Sequence, residues 1–255
     1  MNLEGCSAVV SGGASGLGAG SVRRLVAAGV HCVVLDVDGK AGAAIEAELG
    51  PKVTFAEGDV TRSDAVNHAV HESTSHGPLR IAVSCAGIAR ARRVINREGV
   101  PHDPETFELV MRVNVYGTFN LMTLAAAEIA KTEPLNDGVR GVLINTASVA
   151  AFEGQTGQLA YSASKGAIAG MTLPAARDLS VVGIRVVTIA PGVFETPLLV
   201  GLLGDARAEL GASVLFPKRL GTPDDYASLV LEIARNDYLN GEVIRLDGGV
   251  RLPPK

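Results

Sequence analysis

A doubly wound parallel α/β sheet with helices on both faces is the fold this 255-residue chain predicts. Three observations predict it. Short apolar runs alternate with longer amphipathic stretches, the pattern of repeated strand–helix units. The first unit holds a glycine-rich turn between strand and helix, and an acidic residue closes the next strand. Finally, Gly12, Asp36, Asp59, Cys85, Ser148 and Pro191 all fall where an apolar run stops. In such a sheet that edge is where ligands bind, and right-handed crossovers make it doubly wound.

The elements follow in order. Ala8-Val9-Val10 is a short buried strand. Ser11-Gly12-Gly13-Ala14-Ser15-Gly16-Leu17-Gly18 is the turn. Its glycines let the backbone bend tightly and approach a pyrophosphate. The N–H groups opening the next helix point at that anion. This helix carries Val22, Leu25, Val26 and Ala27 and stops at Gly29. Cys32-Val33-Val34-Leu35 is the second strand and ends in Asp36. A carboxylate there accepts hydrogen bonds from an adenosine ribose and repels a 2′-phosphate. Gly13 offers no cation to offset the repulsion, so NAD is expected over NADP. Val53-Thr54-Phe55 leading to Asp59-Val60 is the third strand, and 63–75 a helix. Ile81-Ala82-Val83-Ser84 is the fourth strand, followed by Cys85-Ala86-Gly87. A long helix is expected over 104–130. Val142-Leu143-Ile144-Asn145 is the fifth strand and delivers Ser148. A helix over 161–179, a strand Arg185-Val186-Val187-Thr188-Ile189 ending at Pro191-Gly192, a helix over 227–234 and a last strand Val243-Ile244-Arg245-Leu246 complete the order.

Tyr161 and Lys165 carry the clearest chemistry. Residues i and i+4 share a helix face. A free tyrosine ionises near pH ~10, and a neighbouring cation lowers that value. Bringing it to about 7 takes roughly 4 kcal/mol of differential interaction. A phenol so tuned gives or takes a proton at neutral pH.

Composition excludes several other roles. A hydrophobic fraction of 47% is ample for a core covered on both sheet faces. A net charge of −4 gives no reason to expect nucleic acid or an anionic membrane as partner. No apolar run reaches membrane-spanning length, and no linker, repeat or low-complexity stretch divides the chain. The first strand begins almost at Met1, leaving no room for a targeting peptide, so a cytoplasmic location is expected. Cys6, Cys32 and Cys85 are odd in number and lie in or beside apolar runs, as free buried thiols do in a reducing compartment. No Cys/His spacing suggests a metal. His68 and His71 share a helix face without a further ligand nearby.

Taken together, these residues resemble the short-chain dehydrogenase/reductase family over essentially the whole chain. The matching pieces are Gly12-x-x-x-Gly16-x-Gly18, Asp59-Val60, Ala86-Gly87, Asn114, Ser148, Tyr161-x-x-x-Lys165, and Pro191-Gly192 followed by Thr196. The resemblance implies a single-domain Rossmann fold over residues 1–255 and assigns roles. Tyr161 is the acid/base. Lys165 lowers its pKa and holds the nicotinamide ribose. Ser148 binds the substrate oxygen, and Asn114 supports a water-linked proton relay through the lysine.

Within the family, several stretches look like the type II, short-chain 3-hydroxyacyl-CoA dehydrogenases. They are Asn145 to Gln155, Ala160 to Gly166, Gly170 to Pro174, Phe216-Pro217 with Arg219-Leu220-Gly221, and Leu239 to Gly248. That group oxidises 3-hydroxyacyl-CoA with NAD. The likeness puts Ser15, Leu17, Asp36, Asp59, Val60, Cys85, Phe194 and Thr196 against the cofactor, with Gly12, Gly16, Gly18, Gly87, Tyr161 and Lys165. It puts Ser148, Gln155 and Tyr161 near the substrate, and implies a homotetramer built through the helices near 104–130 and 160–180. Alternatives are a hydroxysteroid or other secondary-alcohol dehydrogenase, a 3-oxoacyl carrier-protein reductase, and a non-catalytic NAD-binding subunit. Two positions depart from the wider family: Ser11 replaces a threonine, and Cys85 an asparagine whose amide supports the central strand.

Two insertions bear on substrate. Residues 90–104 hold Arg90, Arg92, Arg93 and Arg97, of which one or two are expected to meet CoA phosphates if the loop is not merely solvated. Residues 193–220 hold Phe194, Leu198, Leu199, Leu202, Leu203, Leu215 and Phe216. That apolar segment is expected to be a substrate lid, or to pack on another subunit.

Overall fold

The computed structural model describes residues 1–197 and 207–254. Among them, seven strands form one parallel sheet in the order β3-β2-β1-β4-β5-β6-β7. The strands are β1 (Ser7–Ser11), β2 (His31–Asp36), β3 (Val53–Glu57), β4 (Leu79–Ser84), β5 (Gly141–Thr146), β6 (Ile184–Pro191) and β7 (Val243–Leu246). The helices are α1 (Gly16–Ala27), α2 (Gly39–Leu49), α3 (Ser63–Thr74), α4 (Pro104–Met111), α5 (Gly117–Ile129), α6 (Leu159–Ser180), α7 (Arg207–Ser213) and α8 (Pro223–Arg235).

β1, β4 and β5 are buried along their whole length, as strands covered on both faces must be. Their alternate side chains feed two cores. Ala8, Val10, Val34 and Val83 join Val22 and Leu25 of α1 and Tyr226, Val230 and Ile233 of α8 on one face. Val9, Val33 and Ala82 join Val66 and Val70 of α3 and Leu121 and Ile129 of α5 on the other. α1 and α8 pack closely because Gly20 faces Pro223: a Cβ there would lie 2.7 Å from the Pro223 carbonyl oxygen. Strand order reverses between β1 and β4, and Cys85 N donates to Ser11 O at 3.0 Å there. That switch point opens a crevice beyond the strand ends.

Three sequence expectations need correction. α2 is absent from the elements the sequence predicts. It buries only Gly42 and Ile45, too thin a stripe to read as helical periodicity. Its caps are nevertheless present: Asp38 accepts from Lys40 N and Ala41 N, and Gly50 follows at φ +66°. The third strand stops at Glu57, so Asp59 and Val60 sit in the turn behind it. The expected helix over 104–130 divides into α4 and α5 around a π-helical turn, Arg112–Tyr116, which contains Asn114.

Candidate active site

The glycine-rich turn packs too tightly for side chains. A Cβ on Gly12 (φ +63°) would lie 2.6 Å from Ala86 N, and one on Gly18 2.1 Å from Gly12 O. Backbone atoms cannot yield to such contacts, so the turn holds its shape only with glycine. Ser15, the N-cap of α1, makes no side-chain cap hydrogen bond. The first N–H groups of α1 lack intrahelical acceptors and open onto a groove. Gly12, Ser15, Gly16, Leu17, Gly18, Asp36, Asp59, Val60, Cys85, Gly87 and Thr196 line that groove, about 440 Å³ in volume. Asp36 also pins the turn, since its Oδ2 accepts from Ala14 N at 3.1 Å. Glycine cradle, free helix end and terminal carboxylates fit a dinucleotide. The described lining includes Asp36 and Asp59 and no lysine or arginine.

A second cavity, about 400 Å³, adjoins the groove. Leu17, Cys85, Gly87 and Thr196 line both, so the two meet there. Ser148, Gln155, Tyr161, Lys165 and Phe194 line the second cavity. Of the expected cofactor set, Tyr161, Lys165 and Phe194 line this cavity rather than the groove, and the Phe194 ring packs over Gly221, where a Cβ would come within 2.6 Å of it. Gln155 borders the cavity, with its amide donating to Pro253 O at 2.9 Å.

Ser148 leaves β5 in extended backbone, caps the short turn Val149–Ala151, and accepts from Ala150 N at 3.1 Å. α6 carries Tyr161 and Lys165 on one face, with the Lys165 Nζ 5.7 Å from the Tyr161 ring centre. That ammonium donates to Thr146 O at 2.7 Å. Burial lowers the Lys165 pKa to about 8, with Cys85 opposing. Burial also pushes the Tyr161 phenol up, and the Ser148 hydroxyl works against that shift. The net shift of the Tyr161 phenol is therefore upward, opposite to the direction expected from Lys165. The lysine's charge is directed at a backbone carbonyl and is itself disfavoured by burial.

Asn114 is fully buried in the π-helical turn. Its Nδ2 donates to Ile88 O at 3.0 Å and to Ser164 Oγ at 2.9 Å, and its Oδ1 accepts from Ile88 N at 2.8 Å. Ser164 Oγ in turn donates to Tyr161 O. The Asn114 side chain is thus a clamp between the segment after β4 and the start of α6. Ser164 has a place in the site that sequence reasoning missed, as do Thr146 and Leu252, which line the second cavity.

Cys85 also departs from expectation. All three cysteines are free, but only Cys6 and Cys32 are fully buried, because Cys85 opens onto both cavities. Of the loop arginines, Arg90 reaches the second cavity. Arg92 lies 3.6 Å from Asp103, and Arg92 and Arg93 line a shallow hollow with Thr156 and Gly157. In the expected lid, Leu198, Leu199, Leu202 and Leu203 lie outside the described residues. Leu215 and Phe216 are described and exposed.

Such a site, on such a sheet, defines an oxidoreductase that works with a nicotinamide cofactor on a small molecule. The chain belongs to the short chain dehydrogenase family, whose model matches residues 7–205. It is 51% identical to human (Homo sapiens) 3-hydroxyacyl-CoA dehydrogenase type-2 over 99% of this chain and 98% of that one. It is 47% identical to the Drosophila melanogaster protein of the same name, over 99% and 100%. A crystal structure of 3-hydroxyacyl-CoA dehydrogenase type-2 from Mycobacterium avium superposes with a TM-score of 0.95 at 45% identity, covering all of both chains. Among the described residues no helix is long and apolar enough to cross a membrane.

Proposed function

We propose that this chain oxidises 3-hydroxyacyl-CoA to 3-oxoacyl-CoA reversibly, with NAD, as one catalytic domain. The observation that carries the reading is the junction of the two cavities beside Tyr161, Ser148 and Lys165. One cavity has the features a dinucleotide needs, and the other is mostly apolar, suited to an acyl chain. The names of the relatives support the substrate. Asp36 and Asp59, in a groove whose described lining has no basic side chain, support NAD and disfavour the NADPH expected of a carrier-protein reductase.

When bound, the nicotinamide supplies the acceptor for the hydride leaving C3 of the substrate. Tyr161 removes the hydroxyl proton at its phenolic oxygen. Ser148 Oγ donates a hydrogen bond to the substrate oxygen as it becomes a carbonyl. Lys165 keeps positive charge beside the phenolate, and Asn114 holds Ile88 and Ser164 so that α6 presents both residues together. Arg90, which lines the cavity, meets the CoA phosphates. The free thiols of Cys6, Cys32 and Cys85 fit a reducing, cytoplasmic setting. The test is oxidation of 3-hydroxybutyryl-CoA with NAD, compared with a hydroxysteroid. Saturable turnover of the acyl-CoA, with KM rising several-fold in Arg90→Glu, is expected. Turnover of the steroid alone overturns the reading.

A further inference from the structure

Tyr226 sits on α8, far along the chain from the catalytic residues, and is fully buried. Its hydroxyl lies 2.7 Å from Thr146 Oγ1 and 3.7 Å from Cys85 Sγ. Thr146 Oγ1 donates to Ser84 O at 2.5 Å. A threonine hydroxyl has one proton to give. With that proton on Ser84 O, the Tyr226 hydroxyl must be the donor to Thr146, and it is left as acceptor for the Cys85 thiol. The hydrogen-bond chain therefore runs from Tyr226 to Thr146 to Ser84, and Cys85 Sγ lies against both hydroxyls, 3.6 Å from Thr146 Oγ1. The chain joins the ends of β4 and β5, where an asparagine amide is expected and Cys85 stands instead. The backbone carbonyl of Thr146 accepts from Lys165 Nζ at 2.7 Å.

We propose that Tyr226 is a positioning residue for the dehydrogenase reaction: its hydroxyl holds Thr146, and the Thr146 carbonyl holds Lys165. The role rests on the reading that Tyr161 and Lys165 handle the substrate proton. A phenylalanine would fill the same space in the core, so the hydroxyl is there for what it bonds. A buried phenol also needs a partner to offset its lost hydration. The titratable groups facing Lys165 are Tyr161 on its own helix and Cys85 from the end of β4, with Tyr226 one layer behind. Without the Tyr226 hydroxyl, Thr146 Oγ1 keeps only its own bond to Ser84 O and loses the donor that ties it to α8. The carbonyl beneath Lys165 is then held by the pairing of β5 with β6 alone, and less firmly. An ammonium deprived of a well-placed acceptor gives up its proton more readily. Tyr161 then has a weaker cation beside it and ionises at higher pH.

The experiment compares pH profiles of acyl-CoA oxidation for wild type, Tyr226→Phe, Thr146→Val and Thr146→Ser, with melting temperatures to confirm folding and Tyr161→Phe as control. Tyr226→Phe and Thr146→Val are expected to lower kcat roughly 10-fold with KM within about 2-fold. Their ascending limb should move alkaline by about half a pH unit or more. Thr146→Ser, which keeps the hydroxyl, should restore the limb lost in Thr146→Val. A folded Tyr226→Phe with the wild-type kcat and profile overturns the positioning role. If it does not fold, Thr146→Val with an unmoved limb overturns it equally. Activity in Tyr161→Phe would bring down the underlying reading instead, and the two failures are told apart by that control.

Discussion

A single methyl group at position 18 would press into the Gly12 carbonyl, and this is where the groove proposed for the cofactor is most sensitive. Gly18→Ala is expected to abolish NADH binding, measured by fluorescence titration, while the sheet still folds. A second residue-scale prediction lies at the opposite end of the sheet. His31 and His76 stack with ring centres 3.7 Å apart, and Thr54 Oγ1 lies within hydrogen-bond distance of both Nε2 atoms. Burial lowers the His31 pKa to about 4; His76 and Lys52 add to this, and Glu72 opposes it. Above pH ~6.5 the imidazole is neutral in both folded and unfolded chains and adds no pH dependence. As pH falls from there towards 4, only the unfolded chain takes up the proton. Stability should fall by on the order of 3 kcal/mol and level off below. Melting temperature against pH should show that decline, and His31→Gln should flatten it. At this scale the sequence was most legible where chemistry is local. Tyr161 and Lys165 share a helix turn, and the glycines of 12–18 share one loop. Thr146, Tyr226 and Leu252 join the site only through folding, and no local pattern marks them.

Among the elements, α8 shows how a helix start is fixed. Thr222 and Asp225 form a reciprocal capping box, and Asp225 also accepts two hydrogen bonds from Arg219. Since α8 delivers Tyr226, its first turn matters to the site. Thr222→Ala is expected to cost about 1 kcal/mol, read as a shifted urea midpoint with an unchanged slope. Arg219 holds the Asp225 carboxyl well below the usual carboxylate range. The stability this gives is present above the ordinary aspartate pKa of ~3.9 and is lost as pH falls below it. Strongly periodic elements were legible, because apolar runs of the right length can be read directly. α2 was not, since alanine and glycine give little contrast between its faces. The π-helical turn was not either: its wider hydrogen bonding is set by Asn114 reaching Ile88 and Ser164, contacts made across the fold.

For the whole molecule, α4, α5 and α6, with the π-helical turn between the first two, leave apolar side chains in solvent: Leu109, Tyr116, Phe119 and Leu173. Their exposure supports the homotetramer proposed from the family resemblance. Light scattering should give about four times the 26.3 kDa chain mass, and Tyr116→Glu with Phe119→Glu should reduce it. The strand order that places the crevice between β1 and β4 also brings the glycine-lined groove against the cavity holding Tyr161, so the proposed cofactor choice and substrate chemistry are tested together. The most direct measurement is reduction of acetoacetyl-CoA with NADH and with NADPH, side by side. Fast turnover with NADH and little with NADPH is the predicted result. Equal or faster turnover with NADPH would contradict the Asp36 argument, and no turnover with either, despite clear NADH binding, would contradict the acyl-CoA assignment.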